Sequence, residues 1–305
     1  MSRAPEISVV IPTYNSAHSL PDAIGSVRAQ RWPNLEILVV DDGSTDRTDR
    51  VLADLAGPDM HVIRQQNHGP AAARNSGIAA ASGEWIAFLD ADDLWLPGKL
   101  ERQFDAIRCT PHVGFCYSDS LVQTTDGRTE KTKCRRPREA TFLELLWGNM
   151  MSTATVLVRR DCFQVVGHFD PELRTGEDWD MWLRLATCFE TVWVREPLAL
   201  IRKSLKPRDS VTKLSCDSLE RCVLRVLRRL FSSAEVRQRH PEVAVRRRRT
   251  LAWHYSVLAK SYLGRRLWSD YIRLTAFSVS SHPLGLCYTA PTRYLPQKWL
   301  PSLHV

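Results

Sequence analysis

LEILVVDDGSTDRTDRVLADL, residues 35–55, carries a strand, a tight acidic turn and the start of a helix in one short stretch. Residues 35–40 are apolar apart from Glu36, the composition of a strand covered on both faces of a parallel sheet. Asp41-Asp42-Gly43 then breaks the run, and Ser44, Thr45 and Asp46 offer cap side chains for a helix reaching about Leu55. The same alternation extends in both directions. Residues 7–11 (ISVVI) read as a buried strand followed by a helix over 18–30, and residues 61–64 as a short strand. Residues 70–81 are alanine-rich and helical, with Pro70 placed early, where a missing N–H costs least. Residues 85–89 (WIAFL) and 113–117 give two more strands, with a helix beginning near Pro97 between them. Short strands separated by helices predict an α/β fold with a mostly parallel sheet flanked by helices.

Beyond Ser118 the pattern loosens. Residues 123–139 form a polar excursion, residues 153–158 (TATVLV) alternate as a strand, residues 177–186 read as a helix, and residues 191–194 as a late strand. Past residue 210 only helical periodicity remains. Leu219, Cys222, Val223, Val226, Leu227 and Leu230 mark one face, and residues 251–274 give a second helical stretch after Pro241. With 305 residues the chain has room for two domains. The expected division is 1–210, α/β, and 211–305, a helical, arginine-rich C-terminal region.

Charge follows the same division. The net charge of +8 combines 21 basic and 28 acidic residues before position 201 with 21 basic and 6 acidic residues after it. A composition 44% hydrophobic and 25% charged excludes wholesale disorder. The eight cysteines show neither C-x-x-C pairs nor zinc spacing, which suits a reduced compartment. No stretch reads as a signal peptide or a membrane span, so the expected location is cytoplasmic, with peripheral contact at the inner face of the cell membrane still open.

Ligands of open parallel sheets bind beyond the carboxyl ends of the strands. There the chain places Pro12-Thr13-Tyr14-Asn15, Asp41-Asp42-Gly43-Ser44 and Asp90-Ala91-Asp92-Asp93. Five carboxylates at one edge require positive charge among them. Asp90 and Asp92 have the spacing to grip a hard cation, Mg²⁺ or Mn²⁺, that also holds phosphate oxygens. Neither G-x-G-x-x-G nor a P-loop is present, which argues against a dinucleotide or P-loop site.

PEISVVIPTYNSAHSL, ILVVDDGSTDRT, GPAAARNSGIAAASGEWIAFLDADDLWLPGKL and TGEDWDMWLRLA, in that order over about residues 5–200, together resemble a family-2 glycosyltransferase of the GT-A fold. The resemblance implies an inverting enzyme moving a sugar from a nucleotide sugar, commonly a UDP-sugar, to a hydroxyl acceptor. That acceptor would be a saccharide or polyprenyl-linked glycan in cell-surface polysaccharide assembly. It also implies that Pro12, Thr13, Tyr14, Asp41 and Asp42 meet the nucleoside, with Asp42 reaching the base. Arg74 and Asn75 would lie on a helix facing the donor, Asp90 and Ala91 would also meet the nucleotide, and Asp90 and Asp92 would form the D-x-D metal site. Asp178, beside Glu177, would be the catalytic base. A carboxylate there can take the proton of an attacking hydroxyl. Trp179 and Trp182 fit either acceptor stacking or core packing.

One departure concerns the run from Leu200 to Ser210, where Arg202 and Ser210 fit the family and Ser204 stands in place of a usual histidine. Arg202, Lys203 and Lys206 are candidates to hold the diphosphate instead. Two other functions stay open: a sugar-phosphate nucleotidyltransferase, whose glycine-rich, lysine-bearing loop PTYNSAHSL lacks, and a non-catalytic sugar-nucleotide scaffold. The arginine-rich tail, with Trp253, Tyr255, Trp268, Tyr271 and Trp299 interleaved, suits either a solvated helical face or an anionic membrane surface. No nucleic-acid recognition motif accompanies it.

Overall fold

The computed structural model describes residues 6–110, 112–124, 127–131, 141–202, 215–282 and 284–285. They form two compact units. The first holds the described residues up to Thr141 and from Asn149 to Arg202. The second holds Phe142–Gly148 and the described residues from Ser215 onward.

The first unit opens with β1 (Ile7–Thr13), α1 (Leu20–Arg28), β2 (Leu35–Asp41), α2 (Thr48–Asp54), β3 (Met60–Arg64), α3 (Pro70–Ala80) and β4 (Trp85–Phe88). It continues through β5 (Leu94–Trp95), α4 (Lys99–Arg108), β6 (Val113–Gln123) and β7 (Thr129–Lys131). After α5 (Thr141–Leu145), which belongs to the second unit from Phe142 on, come β8 (Leu157–Arg159), α6 (Cys162–Val166), α7 (Glu177–Cys188) and β9 (Glu190–Arg202). The strands form one sheet in the order β3-β2-β1-β4-β8-β6-β9-β5, with β7 paired to β6. β3, β2, β1 and β4 run parallel, whereas β8 lies antiparallel between β4 and β6. The sheet is therefore mixed, with its parallel half built from the runs that the sequence marks as apolar.

Apolar content explains that half. Ile7, Val9, Ile11, Ile37, Val39 and Ala87 are buried in one core cluster with Leu20, Ile24 and Val27 of α1. Each such side chain contributes roughly 1.5–3 kcal/mol on burial. On α3, a Cβ at Gly77 would lie 2.3 Å from Val10 Cγ1, so only glycine lets this helix approach β1 so closely. Close approach sets α3, and Arg74 upon it, directly over the strand ends.

Three local readings change. Residues 153–158 are not one strand: Thr153–Thr155 form a 3₁₀ turn before β8. Of the three cap candidates before α2 only Asp46 meets the helix start, its Oδ1 accepting the Thr48 N–H at 2.9 Å beside an Arg47 cap position, while Ser44 Oγ accepts from the Asn15 N–H. The late strand is far longer than four residues, because β9 pairs parallel with β6 and antiparallel with β5.

The second unit contains α8 (Cys216–Ser232), α9 (Ala234–Arg239), α10 (Glu242–Gly264) and α11 (Trp268–Ser281). The stretch 251–274 is thus two helices, interrupted where Arg266 adopts a left-handed φ of 60°. Cys216, Leu258, Ala259, Tyr262 and Leu274 form its core. Trp253 donates to the Trp147 carbonyl at 2.8 Å, and Phe142 stacks on His240. Residues 142–148 thereby gain their partners from the C-terminal helices. Among the described residues no helix is long and apolar enough to cross a membrane. The six described cysteines form no disulfide with one another; Cys134 and Cys287 lie outside the described residues.

Candidate active site

Parallel register brings the acidic turns to one edge. Thr13 pairs with Asp41, and the Leu89 N–H bonds to the Val10 carbonyl, so the loops after β1, β2 and β4 emerge side by side. Asn15, in a left-handed conformation at φ 51°, accepts from the Thr45 and Asp46 N–H groups and knits the first two loops together. Asp41 is buried and closes its own turn by accepting the Ser44 N–H at 3.0 Å around Gly43, whose φ of 79° an L-residue adopts only with strain.

Asp42 is buried as well. Its carboxylate accepts from Gln65 Nε2 at 2.7 Å, from the His68 N–H at 3.0 Å and from the Gly69 N–H at 2.8 Å. The two adjacent acids therefore hold two different turns, the second being the approach to α3. Of the other residues expected at the nucleoside, Pro12 is half-buried, Thr13 buried and Tyr14 exposed. Thr13 Oγ1 is buried without a hydrogen-bond partner among the described residues. A polar hollow of about 520 Å³ opens at the β2–β3 end, lined by Asp41, Gly43, Ser44, Thr45, Asp46, Asp49, Arg64 and Gln65.

Arg74 organises the centre. Its side chain is 5% exposed; Nη2 donates to Asp90 Oδ1 at 2.7 Å and Nη1 to Glu177 Oε1 at 2.8 Å. The guanidinium lies 5.7 Å from the Phe169 ring centroid, and its Nε finds no acceptor among the described residues. Burial works against its charge, yet the carboxylates of Asp90 and Glu177 raise it above the ordinary arginine value. One guanidinium thus joins the strand-end acids to the start of α7. Asn75 has another partner: its amide exchanges two hydrogen bonds with the backbone of Phe169, at 2.8 and 2.9 Å.

The 90–93 loop is crowded with negative charge. Ala91 is buried and Asp92 reaches the surface. The loss of water around its base in the loop, then nearby Asp90, pushes the Asp92 carboxyl up, against the pull of Arg202 and His18. Buried Asp93 is driven well above the usual carboxylate range by its burial and by Asp90 and Asp92. Arg202 braces this loop from behind. Its N–H bonds Asp93 at 3.0 Å, its Nε the Asp92 carbonyl at 2.5 Å, and its Nη1 Asp22 at 2.8 Å. Lys203, Ser204, Lys206 and Ser210 lie outside the described residues, as does Trp299.

Among the described residues, no group of three or more His, Cys, Asp or Glu side chains is arranged to hold a metal by itself. Asp90 and Asp92 nevertheless fit a divalent cation that keeps water and phosphate oxygens as its other ligands. Oxygen-only donors and crowded, under-compensated acids are what such an ion relieves.

Asp178 stands at the head of α7, after Gly176 in the left-handed region at φ 74°. Its Oδ1 accepts the Trp179 N–H and its Oδ2 accepts Asn149 Nδ2, both at 2.7 Å. Burial and the adjacent Glu177 push its carboxyl up to about 7, against the pull of Arg74. Asn149 carries no motif signal, and its partner is 29 positions away. Both tryptophans are core residues: Trp182 is fully buried against Phe88 and Phe169, and Trp179 is buried beside it in the chain.

Residues 8–167, just over half of the chain, match the family model described as Glycosyl transferase family 2, and the chain belongs to that family. A glycosyltransferase of Nostoc is 36% identical over 186 residues, covering 58% of this chain and 56% of its own. A succinoglycan biosynthesis protein of Rhizobium meliloti, ExoO, is 31% identical over 202 residues, covering 62% and 58% respectively. The chain therefore spans little more than half the length of these relatives. Among solved structures, Staphylococcus aureus TarS residues 1–349 in complex with UDP-GlcNAc superposes with a TM-score of 0.71 at 18% identity, over 90% of this chain and 81% of that one. A mannosyltransferase of Pyrobaculum calidifontis, in complex with GDP-Man and Mn²⁺, gives 0.57 at 17% identity, over 93% and 88%. These likenesses show that the chain has the GT-A fold.

Proposed function

We propose that this glycosyltransferase moves a sugar, with inversion, from a nucleoside diphosphate sugar to a hydroxyl of a saccharide or lipid-linked glycan in surface-polysaccharide assembly. The observation that carries the reading is the bridge Asp90–Arg74–Glu177, which sets the D-x-D acids and Asp178 at one edge of the sheet. Glu177 is committed to Arg74, and Asp178 is the acid left to take a proton. In the reaction the acceptor oxygen attacks the anomeric carbon as its proton passes to Asp178. The bond from that carbon to the diphosphate breaks, and the nucleoside diphosphate leaves. Asp90 and Asp92 would hold a Mg²⁺ or Mn²⁺ ion, which supplies charge neutralisation at the departing diphosphate. Asp41 and Asp42 shape the nucleoside side by fixing the loops around 43–46 and 65–69 rather than by projecting freely.

A UDP-sugar is the donor to try first, since the TarS complex holds UDP-GlcNAc; GDP-mannose is second. Incubation with each and Mn²⁺, followed by measurement of nucleoside diphosphate release, tests the reading. No release from any UDP-, GDP- or dTDP-sugar, with or without a glycan acceptor, would overturn it.

The C-terminal unit supports a second element of the proposal, attachment to an anionic bilayer. Trp268, Ile272 and Val279 are exposed at spacings of four and seven, on one face of α11, with Arg265 and Arg266 just before the helix. Each basic residue near an anionic surface contributes about 1 kcal/mol. The protein should float with phosphatidylglycerol vesicles and not with phosphatidylcholine ones, and Trp268→Asp/Ile272→Asp should abolish flotation. Equal recovery of the variant would end this part.

A further inference from the structure

Asn149 follows Gly148, which sits at φ 140°, and enters an extended segment before the 3₁₀ turn at Thr153. Its side chain makes two hydrogen bonds of opposite sense. Oδ1 accepts the Met151 N–H at 3.0 Å, and Nδ2 donates to Asp178 Oδ2 at 2.7 Å. The first bond fixes the second. Turning the amide over would face its oxygen to a carboxylate oxygen and its NH₂ to a backbone N–H, two repulsive contacts in place of two attractive ones. Asn149 therefore meets Asp178 only as a donor.

A donor in that place selects the ionised form of the acid, because a carboxylate is stabilised by the N–H groups aimed at it. Asp178 has one such donor on each oxygen, Asn149 on Oδ2 and the Trp179 N–H on Oδ1, which fixes the plane of the carboxyl. Each oxygen keeps a further lone-pair direction for an incoming hydroxyl. The other charged groups acting on Asp178 are Glu177 and Asp90, which oppose its ionisation, and Arg74, which favours it. Glu177 and Asp90 are themselves held by Arg74, so Asn149 and the Trp179 N–H are the neutral donors that oppose the upward push on this carboxyl.

We infer that Asn149 is a positioning residue for the transfer: its locked amide holds Asp178 in one orientation and favours its proton-accepting form. The inference rests on the reading of Asp178 as the base, and two separate measurements tell their failures apart.

The first is a ¹³C carboxyl titration of the full chain, with the Asp178 resonance identified by its loss in Asp178→Asn. In Asn149→Ala the midpoint should rise by about one pH unit, a tenfold change in ionisation. In the near-isosteric Asn149→Asp it should rise further, since a like charge replaces the donor. Asn149 is exposed, so both variants should keep the wild-type melting temperature. The second measurement is nucleoside diphosphate release from UDP-GlcNAc. Asn149→Ala should lose about fivefold in kcat at pH 7 and recover it near pH 9, with the donor KM within about twofold. An unmoved Asp178 midpoint in both folded variants would overturn the role of Asn149, whatever the turnover. A shifted midpoint together with full turnover by Asp178→Asn would leave Asn149 in place and remove Asp178 as the base.

Discussion

Asp178→Asn should lower turnover of the nucleotide sugar by about a thousandfold while nucleotide affinity stays within a few-fold of wild type. General-base assistance contributes roughly 10²–10⁴ to such reactions, and an amide has the shape of the acid without its basicity. The pH profile supplies the sign. The Asp178 carboxyl is raised to about 7 by burial and by Glu177, and it acts only when deprotonated. The kcat/KM of the wild type should therefore climb about tenfold per pH unit up to pH 7 and level off above it. The variant should show no such limb. Initial rates between pH 5.5 and 9 check both statements. The variant should melt close to wild type, because above pH 7 the substitution removes an unfavourable charge but turns its NH₂ toward one of the two donors, Asn149 Nδ2 or the Trp179 N–H. Wild-type rates from Asp178→Asn would assign the proton to another group.

The second large effect belongs to Arg74. Arg74→Met leaves Asp90 and Glu177 facing one another's charge without their shared partner. Removing one member of a buried ion pair costs about 3–5 kcal/mol, and the low end applies here because Asp90 is one-third exposed. In a domain of this size that is a fall in melting temperature of about 10 °C, readable by thermal denaturation. Turnover should fall with it, since the 90–93 loop and the head of α7 lose their common anchor. Arg74→Lys should restore only part of the loss, because one ammonium cannot repeat the planar two-pronged geometry toward two carboxylates. A variant that melts with wild type would show that the two acids tolerate each other unbridged.

The parallel half of the sheet could be read from the chain because its strands are covered on both faces, and continuous apolar runs then mark their length. β6 and β9 read short because polar residues interrupt their apolar runs while the ladder continues: buried Ser118, Asp119 and Ser120 in β6, exposed Arg195 and Glu196 in β9. Residues 153–155 alternate like a strand but turn as a 3₁₀ helix, since alternation says nothing about where backbone hydrogen bonds close.

The acidic motifs were visible as motifs, and their division of labour was not. Asp42 carries a base-contact signature, yet it is buried with both carboxylate oxygens engaged by Gln65, His68 and Gly69. The need for positive charge among the strand-end acids was legible. That Arg74 and Arg202 supply part of it depends on guanidinium contacts 16 and 110 positions apart, to the Asp90 carboxylate and to the Asp92 carbonyl. Asn149 is the extreme case, an ordinary residue whose importance comes wholly from what lies opposite it.

Calorimetric titration of UDP into the full chain, with and without Mn²⁺, tests the central claim most directly. The account predicts that Mn²⁺ strengthens binding at least about tenfold, roughly 1.4 kcal/mol, and that Asp92→Asn removes this gain while leaving the fold intact. Binding of equal strength without the metal, or an undiminished metal effect in Asp92→Asn, would contradict a site in which the acids of the 90–93 loop and a nucleoside diphosphate share one cation.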